Sequence, residues 1–267
     1  MIALNKILPN LIWLISATFL SGCANSPVFN LTEKKSVYAK NHMVSAANPH
    51  ATQAGLDILR AGGSAVDAAI AVQMVLTLVE PQASGIGGGG FLLHFKPRTD
   101  HTSSLLSAYD GRETAPSGTT ETLFLREDGK PLSWDERKIG GKSVGVPGII
   151  RMLALAHKDH GRLPWKKLFE PAIRLAREGF RVSPRLNKMI RRDKFLANFP
   201  NAANFYYLPG GTPLPVGHLL KNLQLGNTLS RVANEGPEAF YIGDIPEAIS
   251  REVRETHHLP SQMKESD

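Results

Sequence analysis

The stretch 66–79 (VDAAIAVQMVLTLV) constrains the fold most, because Asp67, Gln73 and Thr77 are its only polar side chains. A helix that is apolar nearly all round cannot rest on a surface and is normally sandwiched between layers. The flanking residues bound it sharply. Asn48-Pro49 predicts a first helix, with an N-cap side chain followed by proline at the first helical position. That helix runs to about Ala61 and stops at Gly62-Gly63, where a left-handed turn needs no Cβ. Ser64 and Asp67 have the spacing of a capping box, with Asp where Glu or Gln is usual, and Glu80-Pro81 ends the buried helix. Before the helices, 43–47 (MVSAA) predicts a short buried strand. After them, 91–95 (FLLHF) and 105–109 (LLSAY) predict two more strands. The expected class is mixed α/β (α+β), and 267 residues suffice for one large domain or two ordinary ones.

Composition excludes several classes. With 42% hydrophobic and 21% charged residues, the chain is not disordered throughout. Its 24 glycines and 18 prolines follow no period, which excludes collagen, and no repeat of solenoid length is visible. One cysteine excludes a disulfide framework and any multi-cysteine zinc or iron–sulfur site. The formal net charge is 31 − 24 = +7. Apart from pairs such as Arg191-Arg192 and Lys166-Lys167 the basic residues are scattered. A solvated basic surface is the favoured reading, ahead of an acidic membrane surface or an anionic small substrate, and no nucleic-acid partner is expected.

The N-terminus reads as an export signal over 1–22. Lys6 supplies the positive region and 11–20 (LIWLISATFL) the apolar one. Ten helical residues span only about 15 Å, about half a bilayer core, so this is no transmembrane helix. Leu20-Ser21-Gly22-Cys23 resembles a bacterial lipobox, and the sole cysteine stands at the one position the motif needs. The expectation is lipidation at Cys23, a lipidated tether over 23–42, and a periplasmic location on a membrane, the outer more than the inner.

Gly85-Ile86-Gly87-Gly88-Gly89-Gly90 satisfies G-x-G-x-x-G, and Asp110 lies twenty residues past Gly90. A dinucleotide fingerprint needs strand, glycines, then helix. Here a helix precedes and a strand follows, so no helix N-terminus is expected to face the loop and hold a phosphate. The glycines read instead as a tight helix-to-strand turn that could floor an active site. The second strand ends in Asp110-Gly111-Arg112-Glu113-Thr114-Ala115-Pro116. An arginine between two acids has two readings: a structural ion-pair network, or a guanidinium held to take a substrate carboxylate through two parallel hydrogen bonds. Periodicity does not decide between them.

Farther on, 149–157 (IIRMLALAH) reads as a helix, and 165–179 as another that Pro171 kinks or divides. Basic residues at 185, 188, 191, 192 and 194 read as a solvated face. Pro209-Gly210-Gly211-Thr212-Pro213 is a turn, and Asp244 with Glu247 and Pro246 opens a last helix. His157 with His160, and His257-His258, lack convincing ligand geometry, so no metal is expected.

The ordered set of motifs resembles the N-terminal part of a γ-glutamyltransferase (γ-glutamyltranspeptidase, glutathione hydrolase). It comprises 43–95 (MVSAANPHATQAGLDILRAGGSAVDAAIAVQMVLTLVEPQASGIGGGGFLLHF), YDGRETAP, SVGVPG (143–148), GRLPW (161–165), EPAIRLAREGF (170–180) and NEGPEAFYIGDIPEAI (234–249). The resemblance implies an N-terminal-nucleophile hydrolase fold, an αββα sandwich that would be incomplete in this chain, with 43–267 as the N-terminal part of the large subunit. It implies a precursor that cleaves itself so that a small subunit begins with the nucleophilic threonine, which needs no cofactor. Such enzymes cleave γ-glutamyl amides such as glutathione and pass the γ-glutamyl group to water, amino acids or peptides. By the same resemblance Arg112 binds the substrate α-carboxylate, with Asp110 and Glu113 as supporting candidates. Family precursors run to more than twice this length, so the threonine is expected beyond Asp267 and a small subunit is the expected partner. Thr119-Thr120 lies in a turn and does not fit as nucleophile. This chain alone is therefore expected to be inactive. The alternative is a non-catalytic truncated remnant or γ-glutamyl-binding lipoprotein. Cephalosporin acylase or capsule depolymerase relatives are a narrower enzymatic alternative. An exposed apolar surface is also expected, because the helix at 66–79 needs layers on both faces.

Overall fold

The computed structural model describes residues 36–99 and 103–267. The export signal and Cys23 lie outside the described residues. Residues 36–42 carry no helix or strand. The compact unit spans Asn41–Asp267.

Helix α1 (Pro49–Arg60) begins as predicted: the Asn48 side chain accepts from the His50 amide. Gly62 sits at φ +89°, the left-handed turn that ends it. Helix α2 (Ala65–Val79) opens with the full capping box of Ser64 and Asp67. Ala51, Ala54 and Ile58 of α1 pack on it. Strands β1 (Phe91–Lys96) and β2 (Leu105–Asp110) form an antiparallel hairpin in which Phe91 faces Asp110 and Lys96 faces Leu105. A long excursion follows, holding the short helix α3 (Trp134–Arg137). Ser133 and Arg126 hold the Glu136 carboxyl down at about 2 there. Helix α4 (Ile149–His160) comes next. The stretch at 165–179 is divided at Pro171, as predicted, into a 3-10 turn (Trp165–Phe169) and α5 (Glu170–Glu178). Then come β3 (Phe180–Arg181), α6 (Pro184–Arg192), α7 (Pro200–Tyr206), β4 (Leu219–Leu220), α8 (Leu223–Glu235) and α9 (Asp244–Glu255). β3 and β4 make a second, minimal antiparallel pair.

The core surrounds α2. Ile70, Ala71, Met74, Val75 and Val79 are almost fully buried. They sit among α1, α4, α5 and the 3-10 turn, and α8 packs behind the last two. The helix thus finds its layers within the described residues.

The exposed apolar surface lies elsewhere than expected, on the hairpin. Leu92 and Tyr109 turn inward to the core. On the opposite face Phe91, Leu93, Phe95 and Leu106 are 62–72% exposed. Among the described residues the order is helices on one face of a two-stranded sheet.

One further expectation is corrected. Residues 43–47 run without a ladder partner and form no strand; an apolar run becomes a strand only where another edge receives its hydrogen bonds. Helix α9 opens at Asp244, as predicted, with Gly243 in the cap position at φ +92°. The Asp244 carboxylate takes the Arg231 guanidinium at 2.7 Å.

One buried carboxylate ties two segments together. Asp67 is fully buried, and its Oδ2 accepts from the amides of Ser64 (2.8 Å), Arg162 (3.0 Å) and Leu163 (3.0 Å). The neighbouring His157 Nε2 lies 2.9 Å from the Leu163 carbonyl, which fixes its proton there. Removing the carboxylate strands three amides in a dry interior. Asp67→Ala should lower the unfolding free energy by about 3 kcal/mol, and Asp67→Asn by less, as read from urea titrations. A second expectation concerns the sheet. The native chain should associate as concentration rises, and Leu93→Thr with Phe95→Thr should suppress this in light scattering.

Candidate functional site

The corner after β2 is built mainly from backbone. The Gly90 and Gly111 amides and carbonyls exchange bonds at 3.1 and 2.9 Å, extending the hairpin by one pair. The Asp110 carboxylate then accepts the Arg112 amide at 2.9 Å, an Asx turn that aims the next side chains. Thr114 pairs with Val146, whose amide donates to the Thr114 carbonyl at 2.8 Å. The segment 143–148 therefore lies directly against 111–114.

The glycine run meets this corner from the other side. The Gly88 carbonyl accepts from the Gly148 and Ile149 amides, both at 3.1 Å. The start of α4 thus does face the glycines, contrary to expectation, because the chain returns to them after the excursion. Its first amide is taken by a backbone carbonyl. A Cβ on Gly89 would strike the Gly111 carbonyl and the Glu113 amide, and one on Gly145 would strike the Glu113 side chain. Glycine at 89 and 145 is what lets three backbones close around Glu113.

Arg112 projects from this frame. Its Nε lies 3.5 Å from the Glu113 carboxylate, and its side chain is 71% exposed against 35% for Glu113. No other partner meets the guanidinium among the described residues. The two acids divide the work: Asp110 fixes the backbone and Glu113 faces the side chain. The exposed guanidinium can still receive a planar carboxylate.

In the sequence Glu80 reads only as a helix end. It is 2% exposed. Its carboxylate accepts from Asn48 Nδ2 (3.1 Å), Gln82 Nε2 (2.6 Å) and Arg185 Nε (2.9 Å). Its carbonyl accepts from Ala83 and Ser84, both at 3.0 Å. The glycine run therefore leaves from an anchored point. The partners lie far apart in the chain, so no local pattern signals this network. The role of Gly145 was missed for a similar reason, although GVPG stood among the motifs. Thr119-Thr120 lies in a turn, as predicted, with the Thr119 amide on the Pro116 carbonyl. Among the described residues no group of three or more His, Cys, Asp or Glu is placed to hold a metal ion.

Residues 51–267 match the sequence profile of the family described as gamma-glutamyltranspeptidase. The chain belongs to the gamma-glutamyltranspeptidase family. It is 37% identical over 235 residues to the glutathione hydrolase proenzyme of Bacillus subtilis (strain 168), covering 87% of this chain and 39% of that protein. The glutathione hydrolase proenzyme of Escherichia coli (strain K12) is 36% identical, with 84% and 38% covered. The chain thus spans about two fifths of the length of these curated relatives. Among solved structures it resembles Helicobacter pylori gamma-glutamyltranspeptidase, with a TM-score of 0.80 at 26% identity, covering 87% of this chain and 64% of that one. Cephalosporin acylase from Bacillus halodurans gives a TM-score of 0.70 at 33% identity, with 85% and 42% covered. The fold is that of the N-terminal-nucleophile hydrolases. The described residues supply helices and part of one sheet of the αββα sandwich.

The glycine packing can be tested directly. Gly89→Ala should cost about 1–3 kcal/mol of stability through overpacking. Gly87→Ala, where an added Cβ meets nothing within 4 Å, should be nearly neutral. Chemical denaturation of the pair reads the difference.

Proposed function

We propose that this chain is the carboxylate-binding part of a γ-glutamyltransferase, which cleaves γ-glutamyl amides such as glutathione and passes the γ-glutamyl group to water, amino acids or peptides. Arg112 takes the α-carboxylate of the γ-glutamyl group. Asp110 and Glu113 hold it in place. The nucleophilic threonine comes from a small-subunit partner segment outside residues 1–267. Without that threonine the chain alone turns over no γ-glutamyl amide.

The observation that carries this reading is Arg112 itself: an exposed guanidinium with one flank against Glu113, on a corner that glycines 88, 89 and 145 hold close. A lone surface arginine would be floppy and of little use for orienting a substrate. This one pays less ordering entropy on binding, because its backbone is already fixed. The names of the relatives supply the substrate class. The export signal over 1–22 and lipidation at Cys23 belong to the same proposal and rest on Leu20-Ser21-Gly22-Cys23.

The test has two arms. Purified chain should release no p-nitroaniline from γ-glutamyl-p-nitroanilide above a heat-killed control. It should bind glutathione in titration calorimetry, and Arg112→Lys should weaken that binding about tenfold by losing the two-pronged contact. Clear turnover overturns the inactive reading, and equal binding by the variant overturns the role of Arg112.

A further inference from the structure

A second cluster of titratable groups lies on the inward face of the hairpin. His94 of β1 and His160, the last residue of α4, stack with ring centroids 3.9 Å apart and planes 25° from parallel. Tyr109, on the neighbouring strand, donates its hydroxyl proton to Asp159 at 2.8 Å. The same hydroxyl oxygen lies 2.8 Å from His160 Nε2. With the hydroxyl proton committed to Asp159, His160 must carry its own proton on Nε2 and donate it. His160 is thus anchored from one side, and its ring face is left to His94.

His94 has no such provision. Its Nδ1 is buried without a hydrogen-bond partner. The titratable and charged groups facing it are Lys96 on its own strand, Tyr109 on β2, and Asp159 and His160 on α4. Asp159 is occupied by Tyr109. The nearest groups to His94 are therefore a second imidazole and an ammonium, and both oppose a positive charge on it. Burial, then His160, then Lys96 lower its pKa from the ordinary value.

We propose that the His94–His160 stack is an acid-released latch between the β1–β2 hairpin and α4. The two rings pack face to face and hold the hairpin on the helix. A proton on His94 sets a positive charge against the His160 ring and near Lys96, with no acceptor at its buried Nδ1, so acid opens the contact. On the same side Tyr109 also binds Asp159 and Leu92 packs on the core, so acid loosens the hairpin rather than detaching it.

The direction of the pH effect follows from linkage. A histidine whose folded-state pKa is depressed binds fewer protons folded than unfolded. Its contribution is present above the unfolded value of about 6.5 and is lost as pH falls through the window below it.

Amide hydrogen exchange on the full chain tests the latch. Between about pH 7.5 and about pH 5.5, and after correction for intrinsic rates, amides of 91–96 and 105–110 should exchange about tenfold faster, while those of α2 keep their protection. His94→Gln, which cannot titrate, should abolish most of that change. Hairpin protection unchanged by acid, or the same acid response in His94→Gln, overturns the proposal. If the variant does not fold, the imidazole resonance of His94 in the wild-type chain decides. Titration below the ordinary histidine range supports the latch, and titration at or above it overturns it. These readouts follow the hairpin itself, so a failure of glutathione to bind leaves them intact.

Discussion

The structure depends on how closely backbone can approach backbone around Glu113. The glycine run, the corner after β2 and the return segment 143–148 meet there with almost no side-chain volume between them. The Gly88 carbonyl caps the start of α4, and Gly90 pairs with Gly111. Each contact is a backbone hydrogen bond of ordinary length. Together they remove the freedom of a loop that would otherwise sample many conformations. Arg112 is displayed from this rigid corner although its own side chain is mostly in solvent.

The helix that leads into the glycine run is itself held by two buried carboxylates with different roles. Asp67 joins the start of α2 to the 161–163 turn through three backbone amides, so its charge is met by fixed dipoles. Glu80 joins the end of the same helix to α1, to the glycine run and to α6 through side chains. The most apolar helix is thus fixed at both ends by acids. Its apolar surface supplies most of the burial free energy, but burial is non-directional. The two carboxylates supply the direction that burial lacks.

Local chemistry made much of the fold legible. The Asn48 and Ser64 caps, the left-handed stop at Gly62, the division at Pro171 and both hairpin strands follow from a few neighbouring residues each. The failures share one cause. Residues 43–47 have the composition of a strand, but no edge lies beside them. The helix at 66–79 required layers, yet nothing in its sequence tells which elements supply them. The exposed apolar surface fell on the hairpin, whose outward residues alternate with inward ones. Arg112 could be picked out because its motif is local, whereas the networks at Glu80 and His94 join residues that only the fold brings together.

The sequence by itself determined where the first two helices start and stop, that one helix is buried, and that an arginine flanked by acids follows the second strand. Those features are set by interactions over a few residues, where steric limits and caps act without regard to the rest of the chain. Only the tertiary structure decided that α4 begins against the glycine run, that Asp110 holds the backbone of Arg112 while Glu113 faces its side chain, and that two histidines far apart in the chain stack. Those arrangements depend on which surfaces bury each other, and that choice is made by the whole core at once.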